Sequence, residues 1–158
     1  MKPQYISYFT LFSLIALAVD QSTKMIIRLS MVQNSTIPVI PEMFHFTFIQ
    51  NPGAAFGLLP GKKVLLLVIA SLVSFLVVYF HRHIRRRDLL TQAALGFIFG
   101  GSLGNILDRL VLGSVTDFFD LRFWPIFNFA DIFINLGVFL LILRAFQNGR
   151  EKHGADNI

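Results

Sequence analysis

The chain has 158 residues, a length suited to one domain, of which 54% are hydrophobic and only 15% charged. Soluble domains carry roughly 25% charged residues; with a mean hydropathy of +0.64 and 18 Phe, a water-soluble globule is excluded and lipid has to be the solvent for much of the surface. The net charge of +5 does not point to nucleic acid, because the basic residues do not interleave with exposed aromatics, and the absence of Cys removes disulfides, thiol chemistry and thiolate-bound metals.

About 20 apolar residues cross the roughly 30 Å of hydrocarbon as a helix. The first span runs from about Tyr5 to Leu29, apolar as far as Val19 and then carrying Asp20, Gln21 and Lys24. No small-x-small cleavage site follows it, so it reads as retained rather than as a secretory signal. Residues 30–61 contain Pro38, Pro41, Pro52 and Pro60, which break helices. Within them Phe44, Phe46 and Phe48 alternate with His45, Thr47 and Ile49, a strand period. These predict a small sheet on the membrane surface with its Phe face down. The stretch Asn51–Gly61, with Gly53, Gly57 and Gly61, is expected to form a mobile lid.

The second span, Val64–Phe80, is free of charge, and the loop after it holds Arg82, Arg85, Arg86 and Arg87. The third runs from about Leu89 to Leu112 and turns polar after Gly104. Its Gly96, Gly100 and Gly104 strip one face of side chains and permit close helix contact. In the connection 113–126, Val115, Phe118 and Phe119 surround Asp117, Asp120 reads as a solvated loop acid, and Trp124 suits the interfacial aromatic belt. The fourth span runs from about Phe127 to Phe146, with Asp131 one turn in, and leaves a polar tail at 147–158. The expected fold is an all-α membrane protein: four transmembrane helices in a single domain, 1–158, with a small extracytoplasmic β-sheet and a lid between helices 1 and 2.

The Arg-rich loop belongs in the cytoplasm, and with four spans both termini lie there too. Eight of the 14 Lys and Arg then fall on that side, a bias concentrated in one loop. Six of the nine acids fall in the outer half: Asp20, Glu42, Asp108, Asp117, Asp120 and Asp131. An ionised side chain at mid-bilayer costs about 2.5–3.5 kcal/mol, so their gathering at one level asks for a reason. Asp20 and Lys24 can pair at i, i+4. Asn105, Asp108 and Arg109 share a face of the third span, as do Asn128, Asp131 and Asn135 of the fourth. Salt bridges and caps account for Asp20–Lys24 and Asp108–Arg109 as readily as any functional role does. They leave Asp117 and Asp131 without a cation of their own. Two carboxyls close together in a low dielectric cannot both ionise, and such a pair performs acid–base hydrolysis without metal or covalent nucleophile. The four His form no ligand grouping, and Ser102 and Ser114 have only the distant His45 on their side, so neither a metal site nor a serine triad is expected.

Five blocks in order resemble the lipoprotein signal peptidases (signal peptidase II) of bacteria: Asp20-Gln21-Ser22-Thr23-Lys24, Asn51-Pro52-Gly53-Ala54-Ala55-Phe56-Gly57, Gly100 through Arg109, Gly113 through Phe118, and Phe127-Asn128-Phe129-Ala130-Asp131. The resemblance implies that Asp117 and Asp131 are the catalytic dyad of an aspartic endopeptidase, with no cofactor. It implies that Asn51, Asn105, Arg109 and Asn128 bind substrate and shape the site, and that Asp20, Lys24 and Asp108 support it. The substrate it implies is a prolipoprotein whose Cys already carries diacylglycerol, cut just before that Cys at the extracytoplasmic face of the cytoplasmic membrane, with globomycin-type cyclic peptides as inhibitors. Membrane lipids surround such an enzyme, and nothing in the chain demands more than a monomer. Two rival classes remain: an ion or proton transporter, which requires acids along the whole membrane depth, and a non-catalytic four-helix binding protein.

Overall fold

The computed structural model describes residues 7–53, 62–84 and 88–155, without the side chains beyond 148. Four helices and three strands follow in the order α1 (Tyr8–Ser30), β1 (Thr36–Ile40), β2 (Phe44–Asn51), α2 (Lys63–His81), α3 (Leu89–Val111), β3 (Val115–Asp120) and α4 (Phe129–Ala155). The protein is a multi-pass membrane protein of four apolar helices with a small antiparallel sheet. Helix α2 shows why: its mean hydropathy is 2.5, yet only Leu66, Ser74 and Val77 are buried. An apolar surface of that extent is stable only against lipid or another apolar partner.

Local chemistry sets the helix starts. Ser7 caps α1 by accepting the Thr10 N–H, and Asp88 caps α3 by accepting the backbone N–H and the hydroxyl of Thr91; both satisfy N–H groups that a helix leaves open. Arg144 of α4 reaches the same Asp88 carboxylate at 3.3 Å. Burial works to raise the Asp88 pKa, but the Thr91 and Arg144 contacts outweigh it and hold the carboxyl below the usual range.

Helix α3 is the central element, and small residues put it there. A Cβ on Gly96 would meet the Phe9 carbonyl oxygen at 2.8 Å, and one on Gly100 would collide with the Ser13 carbonyl and with the Ala16 Cβ at 2.9 Å. The glycine stripe expected from spacing is therefore the seat of α1. A second pair, Gly101 and Gly137, seats α4 from the other side: a Cβ on Gly101 would lie 2.6 Å from the Ala130 carbonyl, and one on Gly137 2.6 Å from Ile98 Cγ1. In a membrane, where hydrophobic drive between helices is absent, such backbone approach is a main source of packing energy.

The sheet has the order β1-β2-β3. Strand β2 is the one the Phe alternation marks out. Strand β1 is a fully exposed edge containing Pro38, a position that tolerates proline because one side of it has no ladder to join. Strand β3 differs from expectation, since no strand period marks the connection 113–126. Its sequence Val-Thr-Asp-Phe-Phe-Asp lacks alternation because both of its faces are covered, with the pattern buried at five of six positions. Its free edge is closed by Phe127, which exchanges backbone hydrogen bonds with Phe119 at 2.8 and 3.1 Å. A run of ring contacts then ties sheet to bundle, from Phe46–Phe119 (5.9 Å) through Phe119–Phe129 (5.0 Å) and Phe129–Phe133 (6.2 Å) to Phe97–Phe133 (5.3 Å).

Two further expectations are corrected. Asp120 is not a solvated loop acid: it is buried at the end of β3 and accepts from the Thr47 hydroxyl (2.8 Å), the Arg122 N–H (2.9 Å) and the Arg122 guanidinium (3.1 Å). Burial pushes its pKa up, but these donors prevail and hold it below the ordinary carboxylate range. Asp108 does not pair with its neighbour Arg109; successive helical residues point about 100° apart, and Asp108 turns instead to α1. Helix α4 continues past the apolar run, through polar residues to Ala155. Residues 54–61, most of the stretch expected to form a lid, and Arg85–Arg87 lie outside the described residues.

The glycine seat gives a direct test. Gly100→Val places a branched side chain against the α1 backbone, and overpacking of this kind costs about 1–3 kcal/mol. Thermal unfolding in detergent is expected to show a Tm several degrees below wild type, whereas Leu72→Val on the exposed face of α2 is expected to leave it unchanged.

Candidate active site

Register and caps bring Asp117 and Asp131 together. Asp117 lies in β3 opposite Ile49, with Val115 opposite Asn51, so the end of β2 sits beside the Asp117 side chain. The Phe119–Phe127 bridge brings the chain back to start α4 at the same place. There Asn128 and Asp131 form a reciprocal cap: the Asp131 N–H donates to Asn128 Oδ1 (3.0 Å) and the Asn128 N–H donates to Asp131 Oδ2 (3.2 Å). This is a capping box with Asp where Glu is usual, and the shorter acid keeps its carboxyl close to the helix end.

Asn128 joins the two acids. Its Nδ2 donates to Asp117 Oδ1 at 2.6 Å while its backbone N–H holds Asp131. The remaining oxygens are met by amides as well: Asn51 Nδ2 donates to Asp117 Oδ2 (2.9 Å), and Asn105 Nδ2 donates to Asp131 Oδ1 (3.0 Å). Every donor to the pair is a neutral N–H, and neither carboxyl forms an ion pair among the described residues. Neutral donors hold a carboxylate in place without cancelling its charge. Asp117 is only 3% exposed, so desolvation, followed by repulsion from Asp131, pushes its pKa up to about 7, against the opposing pull of the Asn51 and Asn128 bonds.

The orientation of these amides is not arbitrary. Asn105 Oδ1 accepts from Lys24 Nζ (2.8 Å) and Asn128 Nδ2 (3.2 Å). With its oxygen facing two donors, its NH2 group has to face Asp131. Lys24 is fully buried and lies 2.9 Å from Asp20 Oδ2 and 3.4 Å from Asp108 Oδ2, so the expected i, i+4 pair is present and extended. Asp20 in turn accepts the N–H of Ala130 (2.9 Å), where α4 begins, and its carboxylate fills the space that a side chain on Gly104 would need. Asp108 accepts the Thr116 N–H (2.9 Å), one residue before Asp117. The three charges thus pin α1, α3, β3 and the start of α4 to one another directly behind the acid pair.

Arg109 is half-buried and binds the carbonyl oxygens of Gly53 (3.2 Å) and Asn105 (3.3 Å). Together with Asn51, Asn105, Asp117 and Asp131 it lines a cavity of about 840 Å³. The cavity is polar at this end and apolar at the other, where Leu121, Phe123, Trp124, Pro125, Ile126, Ile132, Leu136 and Phe139 form its walls. All nine site residues expected from sequence therefore converge, five on the cavity and Asn128, Lys24, Asp20 and Asp108 behind it. Sequence reasoning passed over Gln21, whose amide donates to Asp20, Asp108 and the Gly104 carbonyl, and Thr116, fully buried and bonded by Arg28 and Gln50. Both stand inside the quoted blocks, each next to a singled-out acid, and that adjacency was the available signal. The apolar wall carried no motif. Among the described residues no three His, Cys, Asp or Glu side chains converge as a metal would require.

A membrane-embedded helical protein with two amide-held carboxyls, neither in a direct ion pair among the described residues, at the polar end of an apolar cavity has the makings of an aspartic peptidase. The signal peptidase (SPase) II family profile matches residues 12–147. The chain is 42% identical over 147 residues to the lipoprotein signal peptidase of Moorella thermoacetica, covering 90% of this chain and 98% of that one. It is 47% identical over 133 residues to that of Pelotomaculum thermopropionicum, covering 83% and 88%. Among solved structures, a bacterial membrane enzyme determined by the in meso method at 2.3 Å resolution superposes with a TM-score of 0.82 at 34% identity, covering 91% of this chain and 90% of the other. The chain belongs to the signal peptidase II family.

Two measurements check the electrostatics. Lys24→Met leaves Asp20 and Asp108 buried without their shared cation; breaking such a network costs about 3–5 kcal/mol, and adding Asp20→Asn is expected to restore part of the lost Tm. The second concerns pH. The Asp117 pKa is raised on folding, so the folded state holds more protons than the unfolded one between the two values, and stability falls as pH rises. Wild-type stability is expected to decline from about pH 4, near the unfolded carboxyl value, up to about pH 7, and Asp117→Asn to flatten that slope.

Proposed function

We propose that Asp117 and Asp131 share one proton and hydrolyse the peptide bond before the diacylglyceryl-bearing Cys of a prolipoprotein. The observation that carries this reading is the contact of Asn128 with both carboxyls, which holds them in one place where, among the described residues, no cation pairs with either directly and Lys24 and Arg109 act only from a distance. The ionised carboxyl takes a proton from a water held between the pair, and the new hydroxyl oxygen bonds to the scissile carbonyl carbon. The protonated carboxyl delivers its proton to the carbonyl oxygen. The carboxyl that took the water's proton gives it to the leaving nitrogen, which becomes the amine of the lipidated Cys. The C–N bond breaks as one hydroxyl of the tetrahedral gem-diol gives its proton to the other carboxylate, leaving a carboxyl product and a dyad that again holds one proton. Asn51, Asn105 and Asn128 hold the carboxyls, Arg109 and the Gly53 carbonyl bind the substrate backbone, and Lys24, Asp20 and Asp108 fix the amides from behind. The apolar end of the cavity suits a signal-peptide segment and acyl chains.

The reading extends to the whole chain: one peptidase domain, residues 1–158, acting as a monomer in the bacterial cytoplasmic membrane. Both termini face the cytoplasm and the dyad opens at the outer face. The supports are the exposed Arg82 beyond the end of α2 and the Arg-rich loop in the same connection, which is the end of the bundle opposite the dyad. A cyclic lipopeptide of the globomycin type fits the same two-ended cavity and is expected to compete with substrate.

The test is cleavage of a diacylated prolipoprotein by the purified enzyme. Asp117→Asn and Asp131→Asn are each expected to lower kcat by at least about 10³-fold, in line with the loss of a general acid–base group, while keeping the wild-type Tm within a few degrees. Wild-type kcat is expected to fall on the alkaline side as the shared proton is lost, with an apparent pKa near 7, a value that belongs to the pair jointly. Cleavage by either Asn variant at the wild-type rate would end the proposal.

A further inference from the structure

Asn135 stands one turn beyond Asp131 on α4, is exposed, and lines the same cavity. Its Nδ2 donates to the backbone oxygen of Asp131 at 2.9 Å, and among the described residues its Oδ1 accepts no hydrogen bond. Its neighbours on the cavity wall are Ile132, Leu136 and Phe139. An amide set into an apolar wall of a membrane helix is costly unless its polar atoms are met, and polar groups at this depth mark binding sites by default.

We propose that Asn135 is a substrate-binding residue: its Oδ1 accepts a backbone N–H of the signal peptide just before the scissile bond. This rests on the peptidase reading above. Asp131 lies in the first turn of α4, so Asn135 sits roughly 6 Å deeper into the membrane at 1.5 Å per helical residue. An extended chain advances about 3.3 Å per residue, which sets Asn135 beside the second residue before the bond that is cut. Hydrolysis at the dyad needs that stretch extended, and an extended peptide in an apolar cavity has N–H groups that no helix satisfies. The chemistry of the open atom selects the partner. Oδ1 is an acceptor, so what meets it has to be a donor; the ester and acyl groups of the diacylglyceryl moiety have none, whereas each peptide unit has one.

The experiment pairs Asn135→Leu with backbone-edited substrates: a diacylated prolipoprotein peptide, and versions in which one of the three amides before the scissile bond is replaced by an ester, which deletes the N–H. Asn135→Leu is expected to keep the wild-type Tm and to lose about tenfold in kcat/KM on the all-amide peptide, the usual effect of one hydrogen bond. Asn135→Thr, which keeps an acceptor, is expected to recover part of it. One ester position, the second before the bond, should slow the wild type by a similar factor and erase the difference between wild type and Asn135→Leu. Equal cleavage by Asn135→Leu and wild type overturns the inference, as does a difference that persists with every ester substrate, which would assign the contact to another group. Wild-type cleavage of the all-amide peptide is the reference throughout, so failure of the peptidase reading itself would show there.

Discussion

The structure depends on one constraint: two carboxyl groups are held against the same asparagine, and among the described residues no cation makes a direct ion pair with either. Asn128 touches both acids, while the nearest buried ammonium, on Lys24, is spent on Asp20, Asp108 and the Asn105 oxygen. Had Lys24 reached Asp117 or Asp131 directly, the pair would be neutralised and no proton would need to be shared. Placing the cation behind an amide preserves the charge problem at the front and fixes the geometry at the back. The same cluster locks α1 to α3, so the electrostatics of the site and the packing of the bundle are one arrangement.

The fold around it exists to bring four distant pieces of chain to one depth. Glycines let α1 and α4 close on α3 from two sides, the sheet delivers Asn51 and Asp117 from separate connections, and the Phe127 bridge returns the chain to begin α4 where Asp131 is needed. The capping box then fixes the Asp131 carboxyl by the same bonds that start the helix. A residue that caps a helix and aligns a carboxyl of the pair ties helix initiation to the geometry of the site through one set of hydrogen bonds.

Much of this was legible beforehand because membrane insertion simplifies the code. Four apolar runs mark four helices, since the bilayer allows few other ways to satisfy a backbone. Asp20 and Lys24 pair as their spacing dictates, and acids without a cation stood out against a chain that has few charges. What was not legible came from long-range packing. Strand β3 has no alternation because it is covered on both faces, so no local period reveals it or the burial of Asp120 at its end. Asp108 and Arg109 are adjacent in sequence but diverge on the helix, one towards α1 and the other towards the cavity. Thr116 and Gln21 matter through what they touch from other segments, which spacing alone does not report. The apolar half of the cavity draws on Phe123 and Trp124 from one connection and on Phe139 from a helix, a combination visible only after folding.

The central claim is that the acid pair carries a single shared proton near neutral pH. Infrared difference spectroscopy of the purified protein, comparing wild type with the Asp117→Asn/Asp131→Asn double variant, reads this directly. The account predicts one protonated-carboxyl carbonyl band at mildly acidic pH that is absent in the variant and fades with an apparent pKa near 7. A spectrum in which both acids are already ionised in mildly acidic solution would contradict it.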